Sequence, residues 1–209
     1  MGRGDAVTTA APSGVVTFLF TDVEGSTRRW ENDANAMRAA LAVHDKSLRM
    51  AIEAYDGFLF SHTGDGFVAA FASPMSAVNA AIDAQRELQL PVRMGLATGE
   101  AELRDGDYFG TVLNRAARVM AAGHGGQILL ADSTAVLLSG VDLLDLGPRR
   151  LRDVPTPCFR SVRPVCRPTF LRYEPSTQVL GICALQPPVS SGAMLSLPRC
   201  ERHSANTGE

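Results

Sequence analysis

The chain has 209 residues, of which 45% are hydrophobic and 20% are charged, values typical of a globular domain. With 20 basic and 22 acidic residues the formal net charge is −2, so no overall positive field is available to hold nucleic acid. No apolar run approaches the roughly 20 residues of a membrane span. These features disfavour nucleic-acid and membrane partners and indicate a cytoplasmic protein with one main domain.

Three segments are expected along the chain. Residues 1–13 lack a continuous apolar stretch and predict a disordered leader. Residues 14–157 contain no cysteine and carry all the regular hydrophobic patterns, so they form the main domain. Residues 158–209 are rich in proline, and their four cysteines show neither a zinc-binding nor a disulfide pattern. We therefore expect an irregular, disordered tail there.

The first half of the main domain predicts one strand, a helical stretch and a hairpin. The run VVTFLF at residues 15–20 indicates a buried strand that ends at Thr21-Asp22. Apolar residues recur at helical spacing from 26 to 54, with a break near 32–35. The runs GFLFSHT and FVAAF flank Gly64-Asp65-Gly66, which is the composition of a tight turn between two strands. Asp65 should therefore lie at the tip of a hairpin.

The second half predicts two further strands and three helices. Helices are expected at 74–88, at 111–122 with Gly123 as the C-cap, and at 132–138, with strands at 92–103 and in QILLA. The central hairpin favours an α+β, ferredoxin-like fold, with a mainly antiparallel sheet flanked by helices, over a doubly wound parallel sheet.

Asp22 and Asp65 are the first candidate site residues. One ends a hydrophobic strand and the other lies at the tip of the hairpin, and in a ferredoxin-like sheet those two points can be neighbours. Two converging carboxylates suit a pair of divalent cations about 4 Å apart, which can activate an attacking oxygen and neutralise a leaving phosphate. The alternative is that each aspartate only stabilises a local turn or cap.

Two other patterns suit a phosphate ligand. The stretch VEGST offers backbone N–H groups and a helix start, although an ordinary helix cap explains it equally well. Asn114 and Arg118 stand four residues apart on one helix, so they share a face and could together stabilise developing negative charge. A solvated helix face is the alternative for that pair.

Four segments together resemble the class III nucleotidyl cyclases: VTFLFTDVEGST, HTGDGFVAAF, VRMGLATGE and DYFGTVLNRAARV, in the family's order and spacing. The resemblance covers roughly residues 14–157. It is most evident for the cyclase-like module that precedes an ATPase and a LuxR-type DNA-binding domain in large bacterial regulators. The palm-type fold of these cyclases is implied.

The resemblance implies a role for each matching residue. Asp22, Asp65 and the carbonyl of Val23 would hold two divalent metal ions, Mg²⁺ or Mn²⁺. Asn114 would orient the ribose, and Arg118 would stabilise the pentavalent phosphorus. The substrate-binding residues would be Asp107 at the adenine amino group and, at the triphosphate, Arg93 and Arg152, the latter replacing a family lysine.

One departure concerns the base pocket, because Ser61 stands where the family has an adenine-reading lysine. Serine can still form a hydrogen bond, but the lost charge could weaken base discrimination by about one to a few kcal/mol. His62 should face the other side of the strand. Guanylyl cyclases carry a Glu and a Cys at the two base-reading positions. That pair is absent here, so the resemblance favours ATP over GTP.

The function implied is cyclisation of ATP to 3',5'-cyclic AMP and pyrophosphate by a homodimer in which each chain contributes to both active sites. A catalytically weak nucleotide-binding or dimerisation module is the alternative, and Ser61 speaks for it. A two-metal phosphodiesterase is less favoured, because the chain has only four histidines and no histidine-rich ligand set.

Overall fold

The computed structural model describes residues 10–147, together with the backbone of residues 159–162. Within these ranges the chain forms an eight-stranded sheet with helices on both faces. The strands are β1 (Gly14–Val23), β2 (Phe58–His62), β3 (Phe67–Phe71), β4 (Val92–Arg104), β5 (Asp107–Phe109), β6 (Ile128–Ala131), β7 (Leu143–Asp145) and β8 (Phe159–Val162). The helices are α1 (Ser26–Asn32), α2 (Ala34–Ala54), α3 (Pro74–Glu87), α4 (Thr111–Ala121) and α5 (Asp132–Ala135).

The sheet has the strand order β2-β3-β1-β4-β6-β8-β7, and β5 pairs with the far end of β4. The first four strands pair antiparallel, and their connections through α1–α2 and α3 give the predicted ferredoxin-like arrangement. Only the β4–β6 pair among the described strands is parallel. The predicted α+β, mainly antiparallel fold is therefore confirmed.

Two hydrophobic cores lie on opposite faces of the sheet. On the first, which we call the α2 face, Leu19 and Val23 of β1 pack with residues of α2 and α3. On the second, the α4 face, Val16 and Phe18 pack with residues of α4. Because side chains alternate along a strand, β1 contributes to both cores, and each residue of β1 is assigned to one face.

Local sequence explains where the helices begin and end. The Asp33 carboxylate accepts hydrogen bonds from the N–H groups of Asn35 and Ala36, which caps α2 and produces the predicted break after α1. Ser73 caps α3 with its hydroxyl, and Pro74 occupies the first turn. Among the described residues, no helix has the length and apolar character needed to cross a membrane.

Several expected boundaries were wrong. β1 continues to Val23, so Asp22 lies inside a strand pair and not beyond it, because β4 begins at Val92 and extends the ladder. Gly123 is not a left-handed C-cap: α4 ends at Ala121, and a side chain at Gly123 would meet Leu129 at 3.2 Å. The helix expected at 132–138 is only the short α5, and the strands β5 and β7 were not foreseen.

The expected segment boundaries also differ from the structure at both ends. Within the expected leader, Ala11 packs against the α4-face core and the Pro12 carbonyl accepts a hydrogen bond from Tyr108. Within the expected tail, Phe159–Val162 forms β8, which pairs with both β6 and β7. The remaining tail residues, 158 and 163–209, and leader residues 1–9 lie outside the described residues.

Helix α4 lies so close to β4 that two glycines of the strand, Gly95 and Gly99, have neighbours from the helix where a Cβ would be. A Cβ at Gly95 would lie 2.6 Å from the Cα of Met120, and so within the backbone of α4. A Cβ at Gly99, on the same face of the same strand, would meet only the side chain of Val112, at 3.3 Å. The contact at Gly95 therefore fixes the height of α4 above the sheet.

We expect Gly95→Ala to lower the free energy of unfolding by roughly 3 kcal/mol, the upper end of overpacking costs, because backbone atoms cannot move aside. Gly99→Ala is the matched control and should cost less than about 1 kcal/mol, because a side chain can adjust. Urea unfolding of both variants measures the difference. Equal losses would contradict the close approach of α4 at Gly95.

Candidate functional site

A contact between β1 and the β2–β3 turn joins the two segments that carry Asp22 and Asp65. A Cβ at Gly66 would lie 2.5 Å from the carbonyl oxygen of Thr21, so only glycine allows this approach. The N–H of Phe67 also donates to the Thr21 hydroxyl at 2.9 Å. Since Asp22 follows Thr21 and Asp65 precedes Gly66, the two carboxylates flank one backbone contact.

Asp22 forms an ion pair with Arg93, its direct partner across the β1–β4 ladder. Both guanidinium contacts, from Nε at 2.8 Å and from one terminal nitrogen at 2.6 Å, end on Oδ2 of Asp22. The side chains are only 26% and 28% exposed, so the pair is less screened than a surface salt bridge. Arg93, which was expected at the triphosphate, thus lies beside Asp22, a predicted metal ligand. Neither of its two contacts involves Oδ1 of Asp22.

The carbonyl of Val23 points towards the same region. The N–H of Glu24 donates to the Pro91 carbonyl at 2.9 Å, towards β4. Val23 C=O and Glu24 N–H belong to one trans peptide unit, in which the two groups point in opposite directions. The Val23 carbonyl therefore faces away from β4, on the side where the Gly66 turn contacts Thr21.

These donors fit a hard divalent cation. Two carboxylates and a carbonyl are the oxygen ligands that Mg²⁺ and Mn²⁺ prefer, and Mg²⁺ sites commonly complete their coordination with water and substrate phosphates. Among the described residues, no group of three or more His, Cys, Asp or Glu side chains could hold a metal by itself. A metal at this position would therefore depend on ligands beyond these two carboxylates.

Ser61 reaches the α4 face because of a β-bulge. The β2–β3 register changes between Leu59 and Ser61, so that Phe60 is the extra residue. Ser61 then pairs with Val68, whose neighbours both belong to the α2-face core, and this places Ser61 and Asp22 on the same face. His62 faces the other way, with its ring 4.4 Å from that of Phe67, as the sequence predicted.

Asp107 and Ser61 are each next in sequence to one member of an aromatic contact. The ring of Tyr108 is 4.8 Å from Phe60 and 5.0 Å from Phe18, so β5 lies over the α4 face beside β2. Asp107 precedes Tyr108 and Ser61 follows Phe60, so the two predicted base-reading residues flank this contact. One oxygen of Asp107, Oδ1, accepts the N–H of Tyr108 at 2.8 Å.

Of the two predicted catalytic residues on α4, Asn114 does not face Asp22. Helix α4 packs on the sheet through Val112, Ala116 and Val119, and at 100° per residue Asn114 lies on the opposite side, where it is exposed. Arg118 is half-buried in the last turn. Within one chain, Asn114 is therefore turned away from the carboxylates of β1 and the hairpin. Arg152 lies outside the described residues.

Sequence reasoning missed Glu24, which connects the end of β1 to the loop after α4. Its carboxylate accepts the N–H of Gly125 at 2.9 Å, and its other oxygen lies 3.2 Å from Nδ1 of His124. The backbone hydrogen bond from Gly125 is the main cause that lowers the pKa of the Glu24 carboxyl, and burial partly opposes it. The only signal available in the sequence was its position directly after Asp22-Val23.

The comparison with protein families agrees with this geometry. The family described as adenylate and guanylate cyclase catalytic domain matches residues 8–152 of the chain. The chain belongs to this family. The fold and the resemblance to class III cyclases expected from the sequence are thereby confirmed, whereas the roles of single residues stay predictions.

The chain is similar to proteins of different length, as identity and coverage show for three of them. An uncharacterized protein of Mycobacterium tuberculosis is 38% identical over 182 residues, which cover 83% of this chain and 63% of that protein. A receptor-type adenylate cyclase of Trypanosoma brucei brucei is 29% identical, over 70% of this chain and 16% of its own length. A solved structure of adenylate cyclases from Trypanosoma brucei in their monomeric state has a TM-score of 0.71 at 26% identity, covering 77% of this chain and 94% of that one. The chain therefore spans less than two thirds of the length of either curated relative.

Proposed function

We propose that this cyclase domain converts ATP to 3',5'-cyclic AMP and pyrophosphate with two divalent metal ions. The observation that supports the proposal is the contact between Thr21 and Gly66, the residues next to Asp22 and Asp65 in the sequence. Two observations favour ATP as the substrate. One relative is a receptor-type adenylate cyclase, and the Glu and Cys pair of guanylyl cyclases is absent from this sequence.

Each side chain has a separate task in the proposed reaction. Asp22, Asp65 and the Val23 carbonyl would hold the metal ions, which when bound supply activation of the ribose 3'-hydroxyl and neutralisation of the leaving pyrophosphate. Arg93 and Arg152 would bind the triphosphate, and Ser61 and Asp107 would contact the adenine. Asn114 orients the ribose, while Arg118 stabilises the negative charge that develops at the α-phosphorus during in-line attack.

We further propose that the active site is completed by a second copy of the chain. Asn114 lies on the side of α4 that faces away from the sheet, whereas Asp22 lies in β1, within the sheet. Asn114 therefore does not face Asp22 of the same chain. A symmetric homodimer, in which one chain presents Asn114 to the carboxylates of the other, removes this difficulty.

We expect purified protein with Mn-ATP to form cyclic AMP, and to form less cyclic GMP from Mn-GTP. Asp22→Ala should reduce the rate at least about a hundredfold, because metal stabilisation of the transition state is worth several kcal/mol. Glu53→Gln, an exposed acid on α2, is the control and should leave the rate unchanged. Product formation that is insensitive to Asp22→Ala would overturn the proposed mechanism.

The shared site is tested by mixing inactive variants. Asp65→Asn and Asn114→Ala chains should each be inactive alone but regain about a quarter of wild-type activity when mixed, because about half of the dimers are then mixed and each has one intact site. A mixture of Asp65→Asn with Asp22→Ala is the matched control and should stay inactive, because both changes affect the same half-site. Equal results from the two mixtures would contradict a site shared in this way.

Ser61 favours one alternative, a nucleotide-binding or dimerisation module with weak turnover. If the missing charge limits activity, Ser61→Lys should raise kcat/KM for ATP by about tenfold or more, the value of one hydrogen bond to a charged group. His62→Lys, which places the same charge on the α2 face, should have no such effect. Similar effects of both substitutions would contradict the position assigned to Ser61. Normal ATP binding by the wild type without product formation would favour the nucleotide-binding or dimerisation module over the enzyme.

A further inference from the structure

Glu24 is the first residue after β1, and its backbone determines the direction of the Val23 carbonyl. The N–H of Glu24 donates to the Pro91 carbonyl at 2.9 Å, and the Val23 carbonyl belongs to the same peptide unit. Rotation of this peptide unit would turn the carbonyl away from the Thr21–Gly66 contact. Whatever holds Glu24 in place therefore also holds this oxygen.

The side chain of Glu24 forms the second attachment. Oε2 accepts the N–H of Gly125 at 2.9 Å, and Oε1 lies 3.2 Å from the His124 ring. The His124 side chain is 72% exposed, so solvent screens its contact and the contact contributes little. The hydrogen bond to Gly125 is a charge-assisted bond to a backbone donor, and it is the stronger attachment.

The loop that receives Glu24 is itself fixed to the start of β4. A Cβ at Gly125 would lie 2.9 Å from the Pro91 carbonyl oxygen, so this position is packed tightly against the strand. The N–H of Gly126 donates to the Val92 carbonyl at 2.8 Å, and Met94 N–H donates to the Gln127 carbonyl at 2.9 Å. The donor that Glu24 uses therefore has a set position relative to β4.

The residues that follow Glu24 in the sequence, Gly25 and helix α1, are largely exposed. Gly25 has a φ of +69° and carries no side chain, and as the N-cap of α1 it makes no side-chain hydrogen bond. Helix α1 has seven residues, none of them buried. Helix α1 therefore contributes no buried residue that would hold the chain after β1.

We propose that Glu24 is a positioning residue that clamps the Val23–Glu24 peptide to the loop at Gly125 and so keeps the Val23 carbonyl and the adjacent Asp22 in place for the metal ions. This inference rests on the metal-binding role proposed above for Val23 and Asp22. Glu24 itself contacts no substrate in this proposal and acts through the peptide that it holds.

The test compares Glu24→Ala with Glu24→Gln, because the glutamine amide oxygen can still accept the Gly125 N–H. In Glu24→Ala, the Mn²⁺ concentration for half-saturation, measured by electron paramagnetic resonance with a non-hydrolysable ATP analogue, should rise about tenfold. Glu24→Gln should stay within about twofold of the wild type. The rate at saturating Mn²⁺ should change less than the apparent KM for Mn²⁺, a separation that general destabilisation would not produce.

Two controls isolate the contact with Gly125. His124→Ala removes only the exposed ring beside Oε1, and Glu31→Gln removes a charge elsewhere near the end of β1, on α1. Both should bind Mn²⁺ like the wild type. If Glu24→Ala does not fold, Glu24→Asp, which withdraws the carboxylate by one methylene, replaces it and should also weaken Mn²⁺ binding.

Amide hydrogen exchange of the ligand-free protein separates this inference from the proposed function. Protection of the amide of residue 24 should fall about tenfold or more in Glu24→Ala and recover in Glu24→Gln. If the wild type binds no Mn²⁺ with nucleotide, the proposed function fails, while the exchange measurement still decides whether Glu24 holds the peptide. Unchanged protection, unchanged Mn²⁺ binding in Glu24→Ala, or equal weakening in Glu24→Gln would each overturn the inference.

Discussion

The antiparallel pairing of β1 with β4 is the constraint on which the candidate site depends. The ladder runs through ten residue pairs, from Gly14 opposite Ala101 to Val23 opposite Val92. A slip of one residue would exchange the two faces of β1, and it would bury the Asp22 carboxylate in the α2-face core in place of Val23. Because both faces are packed with apolar side chains, this register is strongly specified. The placement of Asp22 opposite Arg93 is thus a consequence of core packing.

The β2–β3 hairpin pairs with β1, so the register of β1 also determines where Asp65 and Ser61 lie. Gly66 allows the turn that carries Asp65 to touch Thr21, the residue before Asp22. Farther along β2, the bulge at Phe60 reverses the alternation, so that Ser61 faces the same side as Asp22. Without the bulge, Ser61 would face the α2 core and His62 would take its place. A single inserted residue thus decides which side chain can approach a base.

The sequence predicted the parts of this fold that depend on local chemistry. The Asp33 break, the proline start of α3 and the glycine turn at residues 64–66 each follow from residue types at those positions. The extension of β1 to Val23 and the short strands β7 and β8 were missed, because each exists only through a partner many residues away in the sequence. The strand β5 was also missed, although it pairs with the adjacent end of β4. The side chain of Glu24 belongs to the same class, since its partner Gly125 lies about a hundred residues away.

The resemblance supplied long-range information about the candidate site that periodicity lacks. The structure pairs Asp22 with Arg93 and places the turn that carries Asp65 against Thr21, whereas the roles of these residues stay predictions. The bulge that directs Ser61 had no signal in composition or spacing, because the run FLFSH is compatible with a regular strand.

The two halves of the candidate site differ in how much change they can tolerate. Metal ligation requires several oxygens at fixed distances, and here the Asp22 carboxylate is oriented by Arg93 while its Oδ1 makes no contact with that arginine. Loss of one such ligand removes chemistry that no neighbour can supply. Base recognition is a sum of separate hydrogen bonds, each worth about one to a few kcal/mol. Under the roles proposed above, a serine in place of a lysine at position 61 would reduce affinity or selectivity without abolishing the reaction. On that proposal, a chain that keeps Asp22, Asp65 and Arg93 but carries Ser61 fits a cyclase with weakened base selectivity better than a fold without catalytic chemistry.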